Sequence, residues 1–209
     1  MDLSILNDRQ REAVETTEGP LLVLAGAGSG KTRVLTHRIA YLIQEKGVAP
    51  WHILALTFTN KAAGEMRERV GSLLGSGVND MWVMTFHACC ARILRSEIEA
   101  LGYERTFVIY DDADQQSLLK KIIRDLNLNE KVFTPRELSS RISEAKNQSL
   151  DALNYLREGY APKEVVAAFQ AYQKQLKQCN ALDFDDLLLM VMQLFERFPD
   201  VLEKYRRKF

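Results

Sequence analysis

Four short apolar runs mark the first half of the chain: Leu-Leu-Val-Leu-Ala at 21–25, Ile-Leu-Ala-Leu-Thr at 53–57, Met-Trp-Val-Met-Thr at 81–85 and Thr-Phe-Val-Ile-Tyr at 106–110. Each is strand-length and apolar throughout rather than alternating, the pattern of a strand covered on both faces. Helical spacing follows the first three. Val34, Leu35, Ile39, Leu42 and Ile43 predict a helix over 33–44, and helices over 60–74 and 86–101 follow the second and third runs. Strand, turn and helix three times in succession predict an α/β fold with a parallel sheet flanked by helices.

After Asp111 the pattern changes. Residues 112–177 carry helical periodicity and no strand signal, with helices predicted over 113–126, 135–147 and 162–179. Pro135 and Pro162 suit first-turn positions, where a missing N–H costs nothing. A last apolar helix led by acids spans 183–198, and Pro199 opens one more. The pattern divides the chain into an α/β part (1–110), an inserted all-helical subdomain (111–181) and a return to the α/β part (182–209).

Composition narrows the setting. The chain has 209 residues, of which 46% are hydrophobic, enough for a real core. Its longest apolar stretches fall well short of the roughly 20 residues a membrane span needs, and residues 1–20 carry many charges without a signal-peptide pattern. Three cysteines, two of them adjacent, form neither a disulfide framework nor a spaced metal site. The reading is a cytoplasmic protein with no membrane role. Lys plus Arg and Asp plus Glu both number 28, so any nucleic-acid contact must come from a local groove and not from net charge.

The most specific chemistry lies where the first apolar run ends, in Ala25-Gly26-Ala27-Gly28-Ser29-Gly30-Lys31-Thr32. Gly26, Gly28 and Gly30 can take positive φ, letting successive backbone N–H groups turn inward around a phosphate. Lys31 would place a positive charge on β/γ-phosphates, Thr32 would offer its hydroxyl to Mg²⁺, and the following helix would point its positive end at the anion. Ala25 stands where G-x-x-x-x-G-K-[ST] has its first glycine. A glycine-rich turn with no ligand would need neither the lysine nor the threonine.

A second constellation is repeated. Two strands end in Thr-Phe: Thr57-Phe58 before Thr59-Asn60-Lys61, and Thr85-Phe86 before His87. Rings at strand ends could stack on bases, while Asn60, Lys61, Thr85 and His87 could reach phosphates or sugars. The alternative is that Phe58 and Phe86 pack under the following helices and that Thr59 and Thr85 cap them. Near the N-terminus, Asn7 or Asp8 would cap a helix holding Gln10, which could pair with adenine or simply lie on the surface. Asp111-Asp112 could hold a metal, but the run through Gln115 reads better as a helix start, as does Asp183-Phe184-Asp185-Asp186.

Taken in order, these segments resemble the start of a UvrD/PcrA/Rep-type superfamily 1 DNA helicase. Residues 6–10 resemble its Q motif, 25–32 its motif I, where alanine is the usual first residue, 56–63 its motif Ia, 85–87 its motif Ib, and 182–187 the return from its inserted subdomain. The resemblance implies a P-loop NTPase (RecA-like) domain 1A with an inserted helical domain 1B. It implies ATP and Mg²⁺ as cofactors, with Gln10 on adenine, residues from Ala25 to Thr32 on the triphosphate and Mg²⁺, and Arg33 assisting. Thr57, Phe58, Asn60, Lys61, Thr85 and His87 would line a channel for single-stranded DNA, with duplex–single-strand junctions as substrate. The family acts 3′ to 5′ in DNA repair and replication. Because the acidic pair of motif II would follow Phe209, the expectation for this chain is a monomeric N-terminal piece, inactive by itself. Two other readings stay open: a nucleotide-gated binding module without turnover, and the front half of a helicase–nuclease subunit.

Overall fold

A computed structural model describes residues 1–75, 80–159 and 161–209. It is mixed α/β, mostly helical, with two small parallel sheets. The chain forms two compact units, Met1–Cys89 with Lys204–Phe209, and Cys90–Glu203. These divisions fall inside two helices.

In the first unit α1 (Asp8–Glu15) and α2 (Lys31–Gln44) precede β1 (Leu54–Thr57), α3 (Asn60–Leu74) and β2 (Trp82–Thr85), which leads straight into α4 (Phe86–Glu97). β1 and β2 pair in parallel from Leu54↔Trp82 to Thr57↔Thr85, so their carboxyl ends lie side by side. Ile39 of α2, Met66 and Val70 of α3, and Ala55 and Val83 of the strands close one apolar core. Each large side chain buried there contributes roughly 1.5–3 kcal/mol. Arg67 donates from Nη2 to the Val83 carbonyl at 2.7 Å, tying α3 to β2. The rings of Tyr205 and Phe209 lie 6.3 and 5.1 Å from that of Trp82.

The first apolar run departs from expectation. Residues 21–25 form no strand, and Leu22 and Leu24 are 82% and 87% exposed. A strand is stabilised by its ladder and by cross-strand packing more than by intrinsic preference. Among the described residues β1 and β2 pair only with each other, so this run takes part in no ladder. Two of the three predicted strand–helix units therefore form a sheet.

The second unit is mainly helical. After a 3₁₀ turn (Ile98–Leu101) and β3 (Val108–Ile109) come α5 (Asp112–Asp125), α6 (Pro135–Asn147), α7 (Ala152–Arg157), α8 (Lys163–Gln178), β4 (Ala181–Leu182), α9 (Phe184–Arg197) and α10 (Pro199–Lys208), the last of which ends in the first unit. Local rules account for most of these starts. Thr134 caps α6 with Pro135 in its first turn, and Asp111 caps α5 in a reciprocal box with Asp114, as its sequence suggested. Pro162 differs: it is the N-cap of α8 rather than its first residue. Leu119, Ile123, Leu138, Ile142, Val165 and Phe169 build the core. β4, whose two residues gave no sequence signal, pairs in parallel with β3.

Asp183 caps α9 in a second box with Asp186. Both carboxylates meet the ammonium of Lys146, at 2.6 and 2.7 Å, and the Tyr172 hydroxyl donates to Asp183 at 3.0 Å. All three charged side chains are buried. Burial pushes the Asp186 carboxyl up to about 6 against the pull of Lys146. For Lys146 burial acts to lower the pKa, but the two carboxylates outweigh it and hold the ammonium above its ordinary value. Among the described residues no helix is long and apolar enough to cross a membrane.

Candidate functional site

The glycine-rich loop is shaped from both ends. Gly28 and Gly30 have φ of 76° and 86°, the left-handed region that favours glycine. Gly30 is the N-cap of α2 and has no side chain to bond the first turn, whereas Asn7, Thr59 and Asp111 each accept a backbone N–H at the start of their helices. The orphan donors of α2 are therefore left to whatever lies in the loop. Within the loop, Ser29 Oγ donates to the Gly26 carbonyl at 2.7 Å. Lys31 Nζ donates to the carbonyls of Ala25 and Gly26 at 3.0 and 2.8 Å, so its positive charge sits over the loop's own backbone.

Gln10 reaches this loop from α1. Its Nε2 donates to the Ser29 carbonyl at 2.9 Å, while its Oε1 accepts the Asn7 N–H at 3.1 Å. The approach is close: a Cβ on Gly30 would lie 2.7 Å from Gln10 Nε2. A cavity of about 540 Å³ opens here, with Gln10, Gly26, Ser29 and Lys31 in its lining together with Leu21 and Val23. That is within the range of small-ligand and cofactor sites. Ala27, Thr32 and Arg33 are exposed beside it.

The Thr-Phe pairs lie where the parallel register puts them. Thr57 and Thr85 are partners across β1 and β2, and Phe58 and Phe86 follow. The threonine hydroxyls are engaged in the turns: Thr57 donates to the Thr59 carbonyl at 3.0 Å, and Thr85 accepts the Ala88 N–H at 3.2 Å. Thr59 caps α3 by accepting the Ala62 N–H at 3.1 Å. The threonines thus take the capping role that the sequence allowed for Thr59 and Thr85. Phe58 does not pack beneath a helix, whereas Phe86 is more than half covered. Phe58 is 92% exposed and Phe86 41%, their ring centroids 5.6 Å apart and tilted by 39°. Asn60 and Lys61 are exposed at the start of α3, and His87 is half-buried in the first turn of α4.

The structure thus brings Gln10 of α1 to the loop before α2, and Phe58 to Phe86 just beyond the carboxyl ends of β1 and β2. The contact between Gln10 and Ser29 spans 19 residues and had no sequence signal. Lys146 did have one. Leu138, Ile142 and Lys146 stand at i, i+4 and i+8, so a lysine occupies the apolar stripe of α6.

Comparison with known proteins completes the description. The sequence profile of the family described as UvrD/REP helicase N-terminal domain matches residues 6–209. The chain is 54% identical over 209 residues to the ATP-dependent DNA helicase PcrA of Bacillus subtilis (strain 168), covering 99% of this chain and 28% of that protein. To PcrA of Staphylococcus aureus (strain Mu50 / ATCC 700699) it is 50% identical over 209 residues, covering 99% of this chain and 29% of the relative. To PcrA of Leuconostoc citreum it is 52% identical over 207 residues, covering 98% and 28%. The chain spans less than two thirds of the length of these relatives.

Proposed function

The chain belongs to the UvrD/REP helicase N-terminal domain family, and from that premise we propose that it holds ATP and Mg²⁺ in the glycine-rich loop and single-stranded DNA at the ends of β1 and β2. In this reading it is the RecA-like domain 1A, interrupted by a helical domain 1B at 111–181, of a cytoplasmic enzyme that couples ATP hydrolysis to 3′–5′ movement on DNA. The relatives' description as ATP-dependent DNA helicases supports it.

The observation that carries the proposal is the state of the loop. Left-handed Gly28 and Gly30, a first turn of α2 without a side-chain cap, and an ammonium resting on two loop carbonyls together form a cradle for anionic oxygens. Lys31 would leave the carbonyls of Ala25 and Gly26 for the β/γ-phosphates, and the exposed Thr32 would bind the metal. Bound Mg²⁺ would neutralise charge developing on the transferred phosphoryl group. Gln10 is prepared for a base. An amide has two N–H donors and two acceptor lone pairs, and with one of each engaged by Ser29 and Asn7 the remaining N–H and lone pair match adenine N7 and N6–H.

At the strand ends the exposed ring of Phe58 would stack on a base, a contact worth about 1–3 kcal/mol. Asn60, Lys61 and His87 would meet the backbone, while Thr57 and Thr85 hold the turns that present them. Titration of the protein with Mg-ATP and with a labelled oligonucleotide tests both halves. Lys31→Ala is expected to abolish nucleotide binding, and Phe58→Ala to weaken DNA binding roughly 5- to 150-fold with folding unchanged. Unaltered affinity in either variant would refute the corresponding half.

A further inference from the structure

Gln10 makes a contact that reading a base does not require. Its Nε2–H bonds the carbonyl of Ser29, inside the loop, at 2.9 Å, and its Oε1 is anchored to the Asn7 N–H of the same helix cap at 3.1 Å. Ser29 is also the residue whose hydroxyl closes back on Gly26, and it immediately precedes the left-handed Gly30 from which α2 starts. The Ser29–Gly30 segment is therefore gripped from α1 by a side chain fixed at its own end.

We propose that Gln10 is a positioning strut for the phosphate loop, holding the Ser29–Gly30 segment in phosphate-ready form whether or not a base is present, so that α1 senses and sets the loop's order. This rests on the nucleotide-binding reading of the loop and deepens it: one amide joins the base-reading edge to the phosphate-binding backbone. Because the amide can keep both anchoring bonds while offering its second N–H and second lone pair, a base would lock the strut further rather than displace it. A loop held in its bound form before the ligand arrives loses less freedom on binding, so the strut acts on the phosphate half of the ligand as well as on the base.

The experiment compares the wild-type 209-residue chain with Gln10→Ala in two ways: by titration with inorganic tripolyphosphate and with ATP, and by ¹⁵N relaxation order parameters in the ligand-free protein. A strut predicts roughly two- to ten-fold weaker tripolyphosphate binding in the variant, the effect of one hydrogen bond, and a larger loss for ATP. It also predicts lower order at Ser29 and Gly30 with Ala13 and Val14, in the same helix as residue 10, unchanged. If only ATP binding weakens and loop order is preserved, Gln10 acts on the base alone and the proposal fails. It fails equally if order falls at Ala13 and Val14 as much as in the loop, because the variant has then merely frayed α1. Should the wild type bind neither ligand, the nucleotide-binding reading falls, and the order parameters still decide whether Gln10 holds the loop.

Discussion

Lys146→Met removes one ammonium from the interior of the second unit and leaves two carboxylates behind. The residue is 3% exposed and makes both ion pairs of the cluster, at 2.6 and 2.7 Å. Methionine fills a similar volume, so little packing is lost. The carboxylates keep the Tyr172 hydroxyl and the reciprocal backbone N–H bonds of their capping box, but no positive charge. Breaking a buried pair by removing one partner costs about 3–5 kcal/mol, a large part of the roughly 5–15 kcal/mol of a whole domain. The loss has a pH signature. Burial already lifts Asp186 to about 6 with Lys146 present, and without the pull of the ammonium that carboxyl rises further above its unfolded value. A folded state that binds more protons than the unfolded one loses stability as pH rises. The cost should therefore be small near pH 4, grow through the interval from about 4 to above 6, and be full at pH 8. Urea unfolding followed by circular dichroism at pH 4.5, 6 and 8 measures it. A loss below about 1 kcal/mol at pH 8, or one that is the same at every pH, would show that the triad does not stabilise the unit by charge compensation.

The complementary change, Asp186→Asn, leaves Lys146 and Asp183 as a balanced pair. Removing a carboxyl whose folded pKa is about 6, against about 3.9 unfolded, should flatten the fall in stability between pH 4 and 6, and the variant should equal or exceed wild type at pH 8. A steeper fall than wild type would contradict the assigned pKa. Gly30→Ala combines a φ of 86° with a Cβ 2.7 Å from Gln10 Nε2. The left-handed conformation alone costs about 1–2 kcal/mol, and Gln10 must leave Ser29, so thermal unfolding should show a lower melting temperature and nucleotide titration a weaker affinity. An unchanged melting temperature would mean that the loop relaxes freely.

What could be read from the sequence was local. α3 and α6 begin and end where apolar spacing and caps predict, because a helix bonds within itself and Thr59, Thr134 and Pro135 act within a turn. Asp111 could be recognised as a cap for the same reason. β4 escaped because two residues carry no period, and its pairing with β3 depends on a partner more than 70 residues away. The residues at 21–24 are the opposite case: strong strand preference in a run that pairs with no ladder. At the candidate site, residue types identified the glycine loop and the Thr-Phe repeats. Burial divided the latter into threonines that cap and a phenylalanine left in solvent, a division that side-chain type alone leaves open.

The absence of a ladder at residues 21–24 bears on how the phosphate loop is held. In a strand–loop–helix unit the strand and the helix would both anchor the turn. Here the strand side is exposed, yet Gly28 and Gly30 keep their left-handed geometry and α2 starts directly after them. The anchoring comes from the helical side. Arg38 of α2 donates to the Ala13 carbonyl at 2.8 Å and also to that of Thr16, joining α2 to the end of α1. Val34 packs with Ala13, Val14 and Leu6 between the same two helices. Gln10 then reaches from α1 to Ser29. The loop is thus bracketed by a pair of packed helices, joined by an apolar seam and by Arg38, with Gln10 reaching from α1 to the residue that precedes Gly30.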